Sequence, residues 1–119
     1  MASSRVKRAR ESEAAVAALL REFGWENAER VPANRPGEDI VNGIAGAPIE
    51  VKSAAEFSPV AFYRQAKKYA KNGEAVPFVV YRPNGAGVET VGQWLVIASL
   101  EDMLKLLKAG GYASDDQSR

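Results

Sequence analysis

The feature that most constrains this chain is a switch in the period of its apolar residues. From Ser4 to Phe23 the spacing is helical, with Val16, Leu19, Leu20 and Phe23 at i, i+3, i+4 and i+7, and Gly24 ends the run. Short segments with the two-residue period of strands follow. Trp25 to Val31 reads as a first strand, and the loop from Pro32 to Gly37 is rich in breakers. Glu38 to Ile44 and Pro48 to Ala54 read as a hairpin about a turn at Ala45-Gly46. Ser58-Pro59 opens a second helix that runs to Asn72-Gly73. Val76 to Arg82 is a buried strand, Pro83 to Gly87 a turn, and Gly92 to Ala98 a last strand. Ser99, with Asp102 three residues on, caps a final helix that closes at Gly110-Gly111. The order α-β-β-β-α-β-β-α implies an α/β fold, a mixed sheet flanked by helices. The 119 residues fit one domain over 1–112, with a frayed tail at 113–119.

Two absences narrow the chemistry. Without cysteine there is no disulfide framework and no thiolate site; without histidine there is no imidazole metal ligand, no histidine general base and no Ser-His or Cys-His triad. Any metal must therefore rest on oxygen ligands, which points to magnesium, with manganese as a substitute. No apolar run approaches the roughly 20 residues of a membrane span. The basic first ten residues lack the apolar stretch and cleavage site of a signal peptide, so a cytoplasmic protein with no membrane partner is expected. The net charge of +1 is uninformative, but its distribution is not. Arg5, Lys7, Arg8 and Arg10 form one acid-free basic run, and Arg64, Lys67, Lys68 and Lys71 a second.

The chemistry concentrates in Ile49-Glu50-Val51-Lys52. Strand alternation sends Ile49 and Val51 to one face, and Glu50 and Lys52 to the other. Asp39 opens the partner strand, which brings a second carboxylate toward Glu50. Two carboxylates and the backbone carbonyl of Val51 can hold a hard cation, and a lysine beside it can orient water or neutralise a phosphate. Glu-x-Lys alone is more often a solvent-facing strand pair. Glu13, three residues before Val16, lies at the inner end of the first helix's stripe, where a carboxylate needs a partner or a metal; the plain alternative is a first-turn glutamate favoured by the helix dipole. On the second helix Phe62, Gln65, Ala66 and Tyr69 share one face, and the basic run shares the other. That basic face is either a solvated surface or a phosphate-contacting stripe. Trp25 and Trp94 can stack on bases, but strand tryptophans more often pack.

Glu13 on a first helix, Gly37-Glu38-Asp39 at a strand start, Glu50-Val51-Lys52 on the next strand and a helix after it together resemble the PD-(D/E)xK nuclease superfamily. Within it they are most similar to archaeal-type Holliday junction resolvases and phage resolvase-like nucleases. The resemblance spans residues 10 to 98; Glu38 stands where the family usually has proline. It implies a restriction-endonuclease-like fold and magnesium-dependent hydrolysis of DNA, in a bacterial, archaeal or phage-infected cell. By it Asp39 and Glu50 are metal ligands, Lys52 the catalytic lysine, Glu13 a ligand or water-positioning acid and Ser53 an accessory group. Arg5, Lys7, Arg8, Arg10, Arg35, Arg64, Lys67, Lys68 and Lys71 would meet DNA. The resemblance also implies branched DNA as the substrate and a homodimer that cuts it symmetrically. Val91, Trp94, Leu95, Val96, Leu100, Leu104, Leu106 and Leu107 offer apolar material for that interface. Gln65 and Tyr69 resemble the Gln-x-x-x-Tyr element of related exonucleases, so a single-strand or end-processing nuclease is the alternative. A non-catalytic nucleic-acid-binding module on the same fold is the rival from another class.

Overall fold

A computed structural model describes residues 4–32, 37–53, 55–70 and 75–115. Helix α1 (Ser4–Glu22) is followed by strands β1 (Glu29–Arg30), β2 (Ile40–Val41) and β3 (Ile49–Lys52), then helix α2 (Pro59–Lys67). Strand β4 (Phe78–Tyr81), a 3-10 helix (Val88–Gln93), strand β5 (Leu95–Ile97) and helix α3 (Leu100–Ala109) complete the chain. The result is an α/β protein with two small sheets. One pairs β1 with β2 antiparallel; the other has the order β3-β4-β5, parallel and then antiparallel. Among the described residues no helix is long and apolar enough to cross a membrane.

The expected hairpin is a different structure. Strand β2 pairs with β1, and β3 pairs with β4 across a helical crossover. One backbone bond ties the expected hairpin arms together, from Asp39 N–H to the Ile49 carbonyl at 2.9 Å. The Asp39 carboxylate accepts the next inward-facing amide, Val51 N–H, at 2.7 Å, so a side chain stands where a ladder carbonyl would be. Asn42, with φ 55°, turns the chain away directly after β2. Val76, Phe78 and Arg82 N–H donate to the carbonyls of Gly46, Pro48 and Lys52, which extends the parallel register at both ends.

The sheet is covered on both faces. Ile49 and Val51 stand beside Phe78 and Val80 and pack under α1 with Val16, Ala17, Ile40 and Trp94. Glu50 and Lys52 stand beside Val79 and Tyr81 on the α2 face. There Ala66 is fully buried, and Phe57, Phe62 and Tyr81 form an aromatic cluster with centroids 4.7 to 6.3 Å apart.

Several boundaries shift for local reasons. In α1 the buried face runs through Ser12, Val16 and Ala17, while Phe23, expected in the stripe, is 73% exposed beyond the edge of the core. Small residues at 12 and 17 let the helix sit close to the sheet. Trp25 to Ala28 is a turn instead of strand, with Ala28 N–H bonded to the Trp25 carbonyl. Ser58 makes no side-chain cap to α2, and Pro59 starts the helix. The described part of α2 ends at Lys67, well before the expected stop. Residues 88–93 coil as a 3-10 helix, held by Thr90 Oγ1 donating to the Gly87 carbonyl at 2.9 Å, which shortens the last strand. Trp94 is core, not interface, and Val91 packs against that core. Ser99 caps α3 as expected, accepting Asp102 N–H at 3.1 Å.

Arg82 joins α1 to the sheet. It is 5% exposed, and its Nε donates to the Ala86 carbonyl at 2.8 Å. Its Nη1 donates to Glu11 Oε1 at 2.9 Å and to Ser12 Oγ at 3.1 Å, and the guanidinium lies 5.3 Å from the Trp94 ring centroid. Ser12 Oγ in turn donates to the Arg8 carbonyl at 2.7 Å, so that buried hydroxyl is satisfied on both sides. Glu11 is half in water, so the ion pair itself contributes modestly; the fork of bonds is what cannot be replaced. Arg82→Met should lower stability by roughly 2 kcal/mol in urea denaturation, and Arg82→Lys should recover less than half of that.

Candidate active site

Strand β3 carries β4 on one edge, and Asp39 covers part of the other. Pro48 and Lys52 turn their carbonyls to β4, and Ile49 turns its carbonyl to Asp39. Alternation therefore puts the Val51 carbonyl on the Asp39 edge, beside the N–H that Asp39 Oδ2 accepts. Asp39 is fixed at three points, since its own carbonyl also accepts Val31 N–H at 2.8 Å. Glu50 is 2% exposed and lines the same cleft, close enough to Asp39 for the two carboxyls to act on each other.

The other groups arrive from both faces. Lys52 Nζ donates to Gln65 Oε1 at 2.7 Å, lies 3.9 Å from Glu50 Oε2 and sits 5.6 Å from the Phe62 ring centroid. Glu13 comes from α1, with Oε1 3.9 Å from Arg30 Nη1. Asp39, Glu50, Lys52, Glu13 and Gln65 thus share one cleft of about 860 Å³. Glu50 and Lys52 from β3, Asp39 from just before β2 and Glu13 from α1 line it together, and Gln65 of α2 joins them.

Burial dominates the electrostatics. It pushes the Glu50 carboxyl up to about 8, helped by the charge of Asp39 and opposed by Lys52. Burial likewise raises Asp39 above the usual carboxylate range, against the pull of the Val51 N–H. Glu13 is pushed up to about 7 by burial and then by Asp39, with Arg30, Arg10 and Lys52 opposing. These acids crowd one another in a poorly hydrated place, a state that a cation relieves. Among the described residues no three acidic side chains are grouped so that they could hold a metal, so Glu13 does not join Asp39 and Glu50 as a third ligand. Asp39 and Glu50 with the Val51 carbonyl are instead a partial oxygen set. That fits magnesium, which usually binds one or two carboxylates and keeps several waters.

The remaining expected residues divide. Ser53 and Arg5 line the cleft, but the Ser53 carbonyl is taken by Arg8 Nε at 3.3 Å. Arg8 is itself turned inward, with Nη2 3.4 Å from the Pro83 carbonyl, so it braces the cleft wall and does not project as a free cation. Lys7, Arg10, Arg64, Lys67 and Lys68 are exposed. Tyr69 is not in the cleft; it lines a separate hollow of about 460 Å³ beside Ile40 and Pro48. Arg35 and Lys71 lie outside the described residues. The sequence pattern did not point to Arg30, Glu56 or Asn84. Arg30 Nη1 is buried without a hydrogen-bond partner and faces Glu13; Glu56 and Asn84 line the cleft. Arg30 carried a usable signal, because an arginine in a strand that must pack under α1 needs an acid nearby. The other two sit in connections whose course no periodicity fixes.

No protein-family model, no curated protein and no solved structure matches the chain.

The raised carboxyls have a consequence for stability. A carboxyl that holds its proton more tightly in the folded chain than in the unfolded one favours folding below its unfolded value. That contribution is lost as pH rises through the folded value. For Glu50 the window runs from 4.5 to about 8. Without divalent cations the protein should therefore lose stability as pH rises across that window. Glu50→Gln should flatten the profile and stabilise the fold at pH 8 by on the order of 1 kcal/mol, read by thermal denaturation at a series of pH values.

Proposed function

We propose that this protein is a magnesium-dependent nuclease of the PD-(D/E)xK kind, on a restriction-endonuclease-like fold. The observation that carries the reading is the meeting of Asp39, Glu50 and Lys52 at one strand edge, with Glu13 brought in from α1. A parallel strand pair crossed by a helix, entered from β1-β2, also accords with that fold.

Asp39, Glu50 and the Val51 carbonyl would hold the cation, which when bound supplies charge stabilisation at the scissile phosphate and acidifies water. The side chains do the rest. Gln65 holds the Lys52 ammonium in one place, 3.9 Å from Glu50 Oε2, where it can meet the phosphate and orient an attacking water by hydrogen bonding. Glu13, raised to about 7, is matched to exchanging a proton with that water near neutral pH. Arg5 at the cleft mouth and the exposed stripe Arg64, Lys67 and Lys68 would meet the backbone of DNA, branched DNA on the strength of the resemblance. The end-processing alternative rested on Gln65 acting with Tyr69, and only Gln65 reaches the cleft. A binding module without catalysis would use the same lysine to hold a phosphate, and metal-dependent cleavage is what separates the two readings.

Asp39→Asn and Glu50→Gln should each reduce magnesium-dependent cleavage of labelled DNA by 10²-fold or more, on the order of losing one transition-state charge interaction, while DNA binding persists. Lys52→Ala should lose turnover to a similar degree, yet keep manganese affinity in calorimetry, since an ammonium repels a cation. Near wild-type cleavage by either carboxylate variant would refute the assignment.

The α2 stripe is tested separately. Neutralising Arg64, Lys67 and Lys68 should flatten the slope of log affinity against log salt by about 0.9 for each duplex phosphate that these cations neutralise. An unchanged slope would make the stripe an ordinary solvated helix face.

A further inference from the structure

We propose that the ring of Phe57 is a stacking platform for one unpaired base, so that the DNA this protein takes has a nucleotide beside the scissile phosphate that is free to leave its stack. The inference rests on the nuclease reading for the place of that phosphate, and goes beyond it in naming what lies next to it.

The observation is an aromatic ring left in water at the rim of the cleft. Ala55 and Glu56 line the cleft, and Phe57 follows them directly, 50% exposed. Its covered side rests on two other rings, Tyr81 at 4.7 Å between centroids and Phe62 at 6.3 Å, edge-on. Tyr81 is buried and stacks on Phe62 in turn, at 6.1 Å, so the backing belongs to the folded core of the α2 face. A ring braced in this way presents its open side in a fixed place and loses little freedom when a flat group settles on it.

That place is tied to Lys52. Tyr81 stands beside Lys52 in the β3-β4 register, and Lys52 Nζ lies 5.6 Å from the Phe62 centroid. Phe57 therefore rests on the two rings that adjoin the ammonium, and a strand whose phosphate meets Lys52 brings the base of an adjoining nucleotide to the rim.

The chemistry around the ring selects its occupant. A lone exposed phenylalanine is ordinary on a protein surface. Here the helix that begins two residues on continues the surface, with Val60 62% exposed, Arg64 one turn later, and then Lys67 and Lys68, all in water. An aromatic face beside a cationic track is the combination that holds single strands, with phosphates on the cations and a base on the ring. Inside a duplex each base is covered by its neighbours, so the ring has nothing to stack on until a base swings out. Trp94 cannot serve in its place, because it is 6% exposed and lies against the Arg82 guanidinium.

The test reads binding alone, in EDTA, and so does not depend on cleavage. Two fluorescein-labelled duplexes of one sequence carry a single-nucleotide bulge, adenine in one and an abasic site in the other; a third has no bulge. In fluorescence anisotropy the wild-type protein should bind the adenine bulge about tenfold more tightly than the abasic one, within what a single stacked base contributes. Phe57→Ala and Phe57→Leu should bind the two bulges alike and keep wild-type affinity for the unbulged duplex, while Phe57→Trp should retain the preference. Leucine leaves an apolar cover on Tyr81 without a flat face, so Phe57→Leu decides the matter where Phe57→Ala does not fold. Equal wild-type affinity for the two bulges, no DNA binding, a preference that survives Phe57→Leu, or a loss that is the same on all three duplexes would overturn the proposal. Magnesium-dependent cleavage of the same duplexes judges the nuclease reading separately. Cleavage without the base preference sinks the platform alone; the preference without cleavage leaves the stacking and sinks the nuclease.

Discussion

The hydrogen bond from Val51 N–H to the Asp39 carboxylate is the constraint on which the site and much of the fold depend. It occupies a sheet edge with a charged side chain, where ordinary pairing would have placed another strand. Three things follow from that one substitution. Strand β2 is released to pair with β1, the cleft beside β3 stays open, and two carboxyls are held together with little water around them. A protein selected for stability alone would close this edge with backbone and put apolar side chains at 39 and 50. Keeping it open costs stability, and such local cost is ordinary at sites that do chemistry.

The cost is offset on the far side of α1. Arg82 fastens that helix to the end of β4 and the following turn, while the apolar core joins it to β3. Because Glu13 and Arg8 project from the same helix, the clamp also fixes where the cleft's third acid and its braced wall stand. Rigid support from outside the cleft allows the groups inside it to repel one another without moving apart.

How much of this was legible in the sequence differs by the kind of signal. The alternation in Ile49 to Lys52 correctly separated the core-facing pair from the pair in the cleft. The breakers placed Pro59 and Ser99 at helix starts. Strand partners were not legible, because a turn at Ala45-Gly46 looks the same whether its flanks pair with each other or with distant strands. The choice was made by Asp39, whose side chain competes for an amide in a way no periodicity records. The start of the last strand, expected at Gly92, moved for a related reason: the 3-10 turn that Thr90 anchors on the Gly87 carbonyl carries through Gln93, and β5 begins at Leu95. Arg82 was invisible as a hub, since its partners come from residues 11, 12, 86 and 94.

The four residues of β3 hold the core and the cleft on alternate positions, with Ile49, Glu50 and Val51 all buried. A deletion or insertion of one residue within this strand would exchange its faces, sending Glu50 and Lys52 under α1 and two aliphatic side chains into the cleft. No intermediate length keeps either function. Sequence drift in this protein must therefore enter through length changes elsewhere, such as the turn at 42–47, while β3 tolerates replacement but not slippage.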